Sequence, residues 1–451
     1  MSSNKRKNKN PKALQTVFLA VFCAIFVCSV AFVLILSTGK IEGATPAPVF
    51  TTEPTTEAVP QGPYKVSTVT LGSAGDVLLH IPVLNGSKKS DGTYNFDKIF
   101  TYAASQIKDC DYFVANLETT LAGTENGRKY SGFPCFNSPD SILSSLKTAG
   151  VDCLLTANNH TYDTGAHGVK RTLEKVKENG FDSIGTRSAE TDKKYLVKDL
   201  KGIKLGIACY TYETENANGK ALNGILVDSE TAKLINSFDY TAIDKFYTEI
   251  QSDLTNMKNE GAEITVVYLH WGNEYQLTPD SHQKEIAQKL CDMGVDMIIG
   301  GHPHVVQPVD LITSSDGTHK TVCVYSVGNM VSNQRRNLMG LKTGHTEDGL
   351  IFKVTISEYS DGTVLVEKVK SVPTWVHLYS GTYNVVPLVK NLDGKAADLG
   401  LTKSSTGLSL AKGSYERTME LVKEGTSKCN KYLSSVPKPD EITETTASQQ
   451  P

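Results

Sequence analysis

Six apolar, strand-like runs in this chain end in side chains that could do acid–base or metal chemistry. Val66–Ala74 leads into Gly75-Asp76, Tyr112–Asn116 into Leu117-Glu118, and Val151–Ala157 into Asn158, Asn159, His160 and Asp163. Ile264–His270 leads into Trp271-Gly272-Asn273-Glu274, Val295–Gly300 into Gly301-His302-Pro303-His304, and Thr321–Val327 into Gly328-Asn329. In open α/β sheets, ligands gather at the carboxyl ends of strands. A lone histidine such as His319 or His377 is ordinarily a surface or core residue, and an Asn-Asn pair marks a turn as readily as a site. Here the argument rests on joint placement. Carboxylate oxygens together with neutral imidazole nitrogens suit borderline divalent metals such as Zn, Mn or Fe. No cysteine follows the same rule, which argues against a thiolate site.

The elements that must carry these residues can be read from the pattern. Helical segments fall between the apolar runs at Asp97–Lys108, Pro139–Ala149, Ala166–Asn179, Tyr240–Asn259 and Ser281–Met293. The last four each end near a glycine (Gly150, Gly180, Gly261, Gly294), a common helix terminator. Alternation of strand and helix predicts an α/β layered fold. From Leu350 the pattern changes to paired strands around Asp361-Gly362, a hairpin signal. A helical tail, Ser414–Leu433, closes the folded part.

Five basic residues and no acid occupy 1–12, leaving 41 basic against 49 acidic residues in the rest of the chain. With no basic surplus to neutralise phosphates, no nucleic-acid partner is expected. The uncharged run Val17–Leu36 has 20 residues, enough for a helix to cross a bilayer core. The basic cluster before it predicts a cytoplasmic N-terminus and an extracytoplasmic domain at the cell membrane. Late cleavage near Ala44–Ala47 is the rival reading. The expected organisation is a basic tail (1–12), a transmembrane anchor (13–38), a Pro/Thr-rich stalk (39–64), one domain (65–434) and a disordered tail (435–451). The seven cysteines outside the span include no CxxC pair, so buried free thiols are expected.

Taken in order, GDV at 75–77, NLET at 116–119, NNH-x-x-D-x-G at 158–165, HWG-x-E at 270–274, GHPHV-x-Q at 301–307 and YS-x-GN at 325–329 resemble the CapA family of poly-γ-glutamate capsule biosynthesis proteins. The resemblance covers about 66–390. It implies the four-layer α/β/β/α sandwich of the calcineurin-like metallophosphoesterases. It also implies residue roles. Asp76 matches the first metal aspartate, Glu118 the bridging carboxylate, Asn159 a ligand, and His160 the acid or transition-state stabiliser. His270, His302 and His304 match the ligand histidines, and Glu274 is an extra carboxylate at the site with a catalytic role. Asn116, Asn158, Asp163 and Asn329 are expected to bind substrate. Two positions depart from the phosphoesterase pattern. Leu78 stands where those enzymes have a histidine, with His80 the nearest, and Glu118 replaces an aspartate. One tight metal, or two of unequal affinity, is therefore expected. The implied role is making, exporting or attaching poly-γ-glutamate, alongside the ligase and small membrane subunits of such a system. A phosphoesterase acting on an envelope phosphodiester or nucleotide, and a non-catalytic assembly subunit, are the alternatives.

The topology is testable. Protease added to intact cells stripped of wall should digest the domain and leave the N-terminus protected. Protection of the 415–432 region would contradict the assignment.

Overall fold

The computed structural model describes residues 63–439. The anchor reading at 13–38, nearly all of the stalk and most of the C-terminal tail lie outside these residues. Among the described residues, no helix is long and apolar enough to cross a membrane.

The strands are β1 (Lys65–Val77), β2 (Tyr112–Leu117), β3 (Cys153–Leu155), β4 (Asp182–Ile184), β5 (Tyr195–Leu200), β6 (Ile203–Tyr212), β7 (Ala221–Leu222) and β8 (Ile225–Leu226). They continue with β9 (Ser237–Phe238), β10 (Ile264–His270), β11 (Met297–Gly301), β12 (Val309–Thr313), β13 (Lys320–Val324), β14 (Asn329–Val331), β15 (Asp348–Tyr359), β16 (Val364–Tyr379) and β17 (Thr382–Pro387). One sheet runs β17-β16-β15-β1-β2-β3-β4, with β14 beside β1; the other runs β12-β13-β11-β10-β6-β5, with β9 beside β6. β1 to β4 pair in parallel, as do β6, β10, β11 and β13. β15 and β16 form the antiparallel hairpin that Asp361-Gly362 signalled.

The sheets face each other across one apolar core. Val69, Leu71 and Val114 meet Ile207, Val266, Tyr268 and Ile299 there, and the Ser73 and Tyr268 hydroxyls bond across it at 2.8 Å. The far side of the first sheet buries Ala74, Val77 and Ala115 against the helices Ile81–Ser87 and Ser141–Ala149. The far side of the second buries Ala208, Val267 and Ile298 against the helices Ile243–Asn259 and Ser281–Asp292. The result is a mixed α/β stack with helices on both outer faces. Gly150, Gly180, Gly261 and Gly294 all take positive φ, as the helix-stop reading required.

Three details differ from expectation. The helix expected over 97–108 is two short ones, Asp97–Phe100 and Ala104–Lys108. Its apolar pattern survives the break because Ile99, Phe100, Ala103 and Ile107 all face one core. The last helix begins at Gly407, well before Ser414. The described cysteines are free, as expected, although Cys110 and Cys135 are only partly buried.

One local irregularity positions the site. Val69, Leu71 and Ser73 face the opposing sheet, whereas Ala74 and Val77 face the helices. Strict alternation would aim Asp76 at the helices with Ala74. Instead, the register of β1 on β2 slips between Ala74 and Asp76, and this bulge turns Asp76 back toward the inter-sheet side. Only glycine fits at the extra position, because a Cβ on Gly75 would lie 1.7 Å from the Gly328 carbonyl oxygen. Gly75→Ala is therefore expected to lower stability by about 1–3 kcal/mol, as overpacking does. Thermal unfolding checks this, and an unchanged melting temperature would contradict the bulge's role.

Candidate metal centre

Asp76, Glu118, Asn159, His270, His302 and His304 converge from the ends of β1, β2, β3, β10 and β11. The sets Glu118/His270/His302, Glu274/His302/His304 and Asp76/Glu118/His304 each bring ligand-type atoms within 4.8 Å of one another. Glu118 belongs to two of these sets. Its Oε1 lies 3.3 Å from His270 Nε2 and 3.8 Å from His304 Nε2. Asn159 Oδ1 reaches the same His270 nitrogen at 2.8 Å.

Neither Glu118 oxygen has a hydrogen-bond partner, nor does His302 Nδ1, and all three atoms are buried. Buried polar groups are normally hydrogen-bonded, and such exceptions call for an explanation. Burial first, then the charges of Asp76, Glu274 and Asp163, pushes the Glu118 carboxyl well above the usual carboxylate range. Burial also lowers His270 to about 3 and holds His302 well below its ordinary value, so both imidazoles are neutral. For Asp76, burial acts upward, but His304, His270 and the Asn116 amide outweigh it and hold the group below the ordinary value. Neutral imidazoles around a carboxylate that lacks any donor fit a divalent cation. A cation there would supply what Glu118 lacks.

The backbone is strained to achieve this. His302 (φ 94°), His304 (φ 56°) and Tyr275 (φ 65°) are left-handed without being glycine. Such residues cost about 1–3 kcal/mol each and cluster at functional sites. The Tyr275 N–H donates to the Pro303 carbonyl at 2.8 Å, tying these two loops together.

Three residues expected to bind substrate hold the candidate ligands and one another by hydrogen bonds. Asn116 Nδ2 donates to Asp76 Oδ1 at 2.7 Å, and Asn158 Nδ2 donates to Asn116 Oδ1 and to the Leu117 carbonyl, both at 3.0 Å. The two hydrogens of Asn329 Nδ2 are shared among three acceptors, the His304 carbonyl, Gln334 Oε1 and the Thr346 carbonyl. Asp76 Oδ2 and Asn329 Oδ1 each lie 3.1 Å from His304 Nδ1, which turns Nε2 toward Glu118. All three asparagines are at most 5% exposed, so they brace the ligands from behind.

The Asp163 side chain is also shielded from solvent. Its Oδ2 holds His160 Nδ1 at 2.8 Å and accepts the Phe136 N–H at 2.6 Å. This pins the imidazole and leaves Nε2 as the free nitrogen. His160 is close enough for its charge to act on His80, His270 and His302. Glu274 differs from the rest: its side chain is 41% exposed, at the mouth. His80 joins none of the ligand sets; its Nδ1 accepts the Asn333 N–H at 3.3 Å, and burial lowers it to about 4.

The sequence reading missed the aromatic wall. Phe136 meets the His80 and His160 rings edge-on at 5.1 and 4.7 Å, and Tyr212 lies 4.7 Å from the His302 ring. Tyr212 ends β6, so the strand-end rule could have found it. Asn223, whose Nδ2 lies 3.4 Å from His160 Nδ1, sits in the β7–β8 turn, where no pattern points to a site.

Fold and site together define a two-sheet α/β protein with a carboxylate–imidazole cluster of metal-binding type. The chain belongs to the family of bacterial capsule synthesis proteins, PGA_cap, whose family profile matches residues 70–334. It is 26% identical over 333 residues to the capsule biosynthesis protein CapA of Bacillus anthracis, spanning 73% of this chain and 71% of that one. It is 27% identical over 240 residues to the PGA biosynthesis protein CapA of Bacillus subtilis, spanning 53% and 57%. Among solved structures, it overlaps the sulfate thiohydrolase SoxB of Thermus thermophilus with a TM-score of 0.39 and 11% identity, covering 78% of this chain and 61% of that one. That likeness is too loose to assign an activity.

The purified protein should carry about one or two divalent ions per chain, as such centres do. His302→Ala with His304→Ala should lose most of them by elemental analysis. Full occupancy in the double variant would contradict the assignment.

Proposed function

We propose that this protein works outside the cytoplasmic membrane in making, exporting or attaching poly-γ-glutamate, through a metal-dependent hydrolase or transferase site. The observation that carries the reading is Glu118: an unpartnered buried carboxylate among neutral imidazoles, beside a His160–Asp163 pair. The names of the relatives, capsule and PGA biosynthesis proteins, support the substrate class. The uncharged run Val17–Leu36 supports the location.

Asp76, Glu118, Asn159, His270, His302 and His304 would hold one or two ions of Mn, Zn or Fe. When bound, such an ion supplies Lewis-acid polarisation of a carbonyl or phosphoryl oxygen and a more acidic water. The chain's own residues do the rest. Asp163 fixes the His160 ring so that Nε2 faces the reacting group and protonates the leaving atom. Phe136 and Tyr212 wall the site with apolar surface, which lowers the local dielectric and strengthens each charge inside. Glu274, at the mouth, is placed to exchange protons with an incoming nucleophile.

The test is His160→Gln. Alanine would strip Asp163 of one of its two partners and so confound folding with chemistry. Glutamine can still offer Asp163 a donor. Metal content and melting temperature should hold, while turnover falls by about 10²–10⁴-fold for loss of a proton donor. Unchanged polymer production would favour the assembly-subunit reading. Loss of metal with activity would make His160 a ligand.

A further inference from the structure

We propose that the cleft between β9 and the helix Ile243–Asn259 recognises a free acidic amino acid such as glutamate. The cleft has a volume of about 530 Å³. Small-molecule sites span about 300–1,000 Å³. None of its lining residues is a candidate metal ligand. Arg187, which lies three residues beyond β4 and lines the cleft, singles it out. This arginine is only 9% exposed, yet it makes no ion pair among the described residues. Arg171, Arg335 and Arg417 are less buried, and each holds a carboxylate at 2.8–3.0 Å.

The Arg187 guanidinium has five N–H donors. Nη1 donates to Asn236 Oδ1 at 2.6 Å and Nη2 donates to the Lys233 carbonyl, and both acceptors are uncharged. Nε is buried without any partner. An ion held away from water without its counter-charge is costly to the fold. Lys220 lines the same cleft. Its Nζ donates to the Ala232 and Ile235 carbonyls at 2.8 and 3.1 Å, and Glu213 Oε1 lies 3.7 Å away. Burial is the leading cause that lowers both Arg187 and Lys220 from their ordinary values. The other charges of the lining are accounted for. Lys194 meets Glu249 at 2.7 Å, Lys233 lies 3.7 Å from Glu190, Asp239 caps the turn after β9, and Lys245 is exposed.

These features select a ligand chemistry. A buried guanidinium calls for a carboxylate, whose two oxygens match its fork. Lys220 has one ammonium hydrogen left after its two carbonyl bonds, enough for a second carboxylate. Glu213 accepts the Ser237 hydroxyl at 2.7 Å through one oxygen, and the other can receive an ammonium. Phe238 and Phe246, with ring centroids 5.0 Å apart, line the cleft with apolar surface for the carbons between these charges. Two carboxylates, one ammonium and a pair of methylenes make up glutamate. The site stands independently of the polymer reading above.

The test is isothermal titration calorimetry of the purified full-length protein with glutamate, with glutarate, which lacks the ammonium, and with inorganic phosphate. Wild type should bind glutamate most tightly of the three. Glu213→Gln keeps an oxygen for Ser237 and should leave the melting temperature unchanged. It should weaken glutamate about tenfold without weakening glutarate. Arg187→Lys keeps the charge but loses the fork, and should weaken both ligands about tenfold. Should Arg187→Lys fail to fold, Glu213→Gln still decides. His302→Ala with His304→Ala should bind glutamate as wild type does. Loss of binding in that double variant would put the ligand at the metal centre and overturn the site. No binding of glutamate by wild type, phosphate bound as tightly as glutamate, or unchanged glutamate affinity in Glu213→Gln would each overturn it as well.

Discussion

Glu118 is fully buried, and neither of its oxygens receives a hydrogen bond. Stripping a carboxylate of water costs several kcal/mol even after a protein relaxes around it. Two stacked sheets with a continuous apolar core provide the stability to hold it there. Everything near Glu118 is arranged to keep that carboxylate and its imidazole neighbours in place without satisfying it. The Gly75 bulge re-aims Asp76, the left-handed His302 and His304 bend back from β11, and Asn116, Asn158 and Asn329 lock the ligands from behind.

The supporting polar groups divide into two kinds. Those behind the ligands are saturated: the Asn158–Asn116–Asp76 chain, and the Asn329 amide, whose two hydrogens face three acceptors. Those facing the centre are left open. That asymmetry separates a binding site from a buried polar network built only for folding, in which every member would be satisfied. The His160–Asp163 pair belongs to both kinds, since one nitrogen is fixed and the other is free for chemistry.

Much of this was legible in the sequence because strand ends announce themselves: an apolar run stops and a polar residue follows. Asp76, Glu118, Asn159, His270, His302 and His304 were all found by that rule, and the structure brings them together. The rule cannot tell a ligand from its brace, because both sit at the same depth. Asn116 and Asn158 were therefore expected to touch substrate, and the structure shows them holding Asp76 and each other. Asp163 was assigned in the same way, although its spacing of three from His160 already allowed a direct bond. The bulge that aims Asp76 left no trace beyond a glycine. Tyr212, at the end of β6, was within reach of the same rule, whereas Phe136 and Asn223 lie in loops that only tertiary structure brings to the site.

If Glu118 exists to hold a cation, its charge burdens the metal-free fold. A carboxyl whose folded pKa is raised destabilises the fold as pH climbs from its ordinary value through the raised one. The most direct measurement is the melting temperature of wild type and Glu118→Gln at neutral pH, in chelator and then with Mn or Zn added. A ligand bound only by the folded state raises stability with its concentration. The account predicts that wild type gains stability from metal, while Glu118→Gln melts higher than wild type in chelator and gains little from metal. An equal metal-induced shift in both proteins, or a lower chelator melting point for Glu118→Gln, would contradict it.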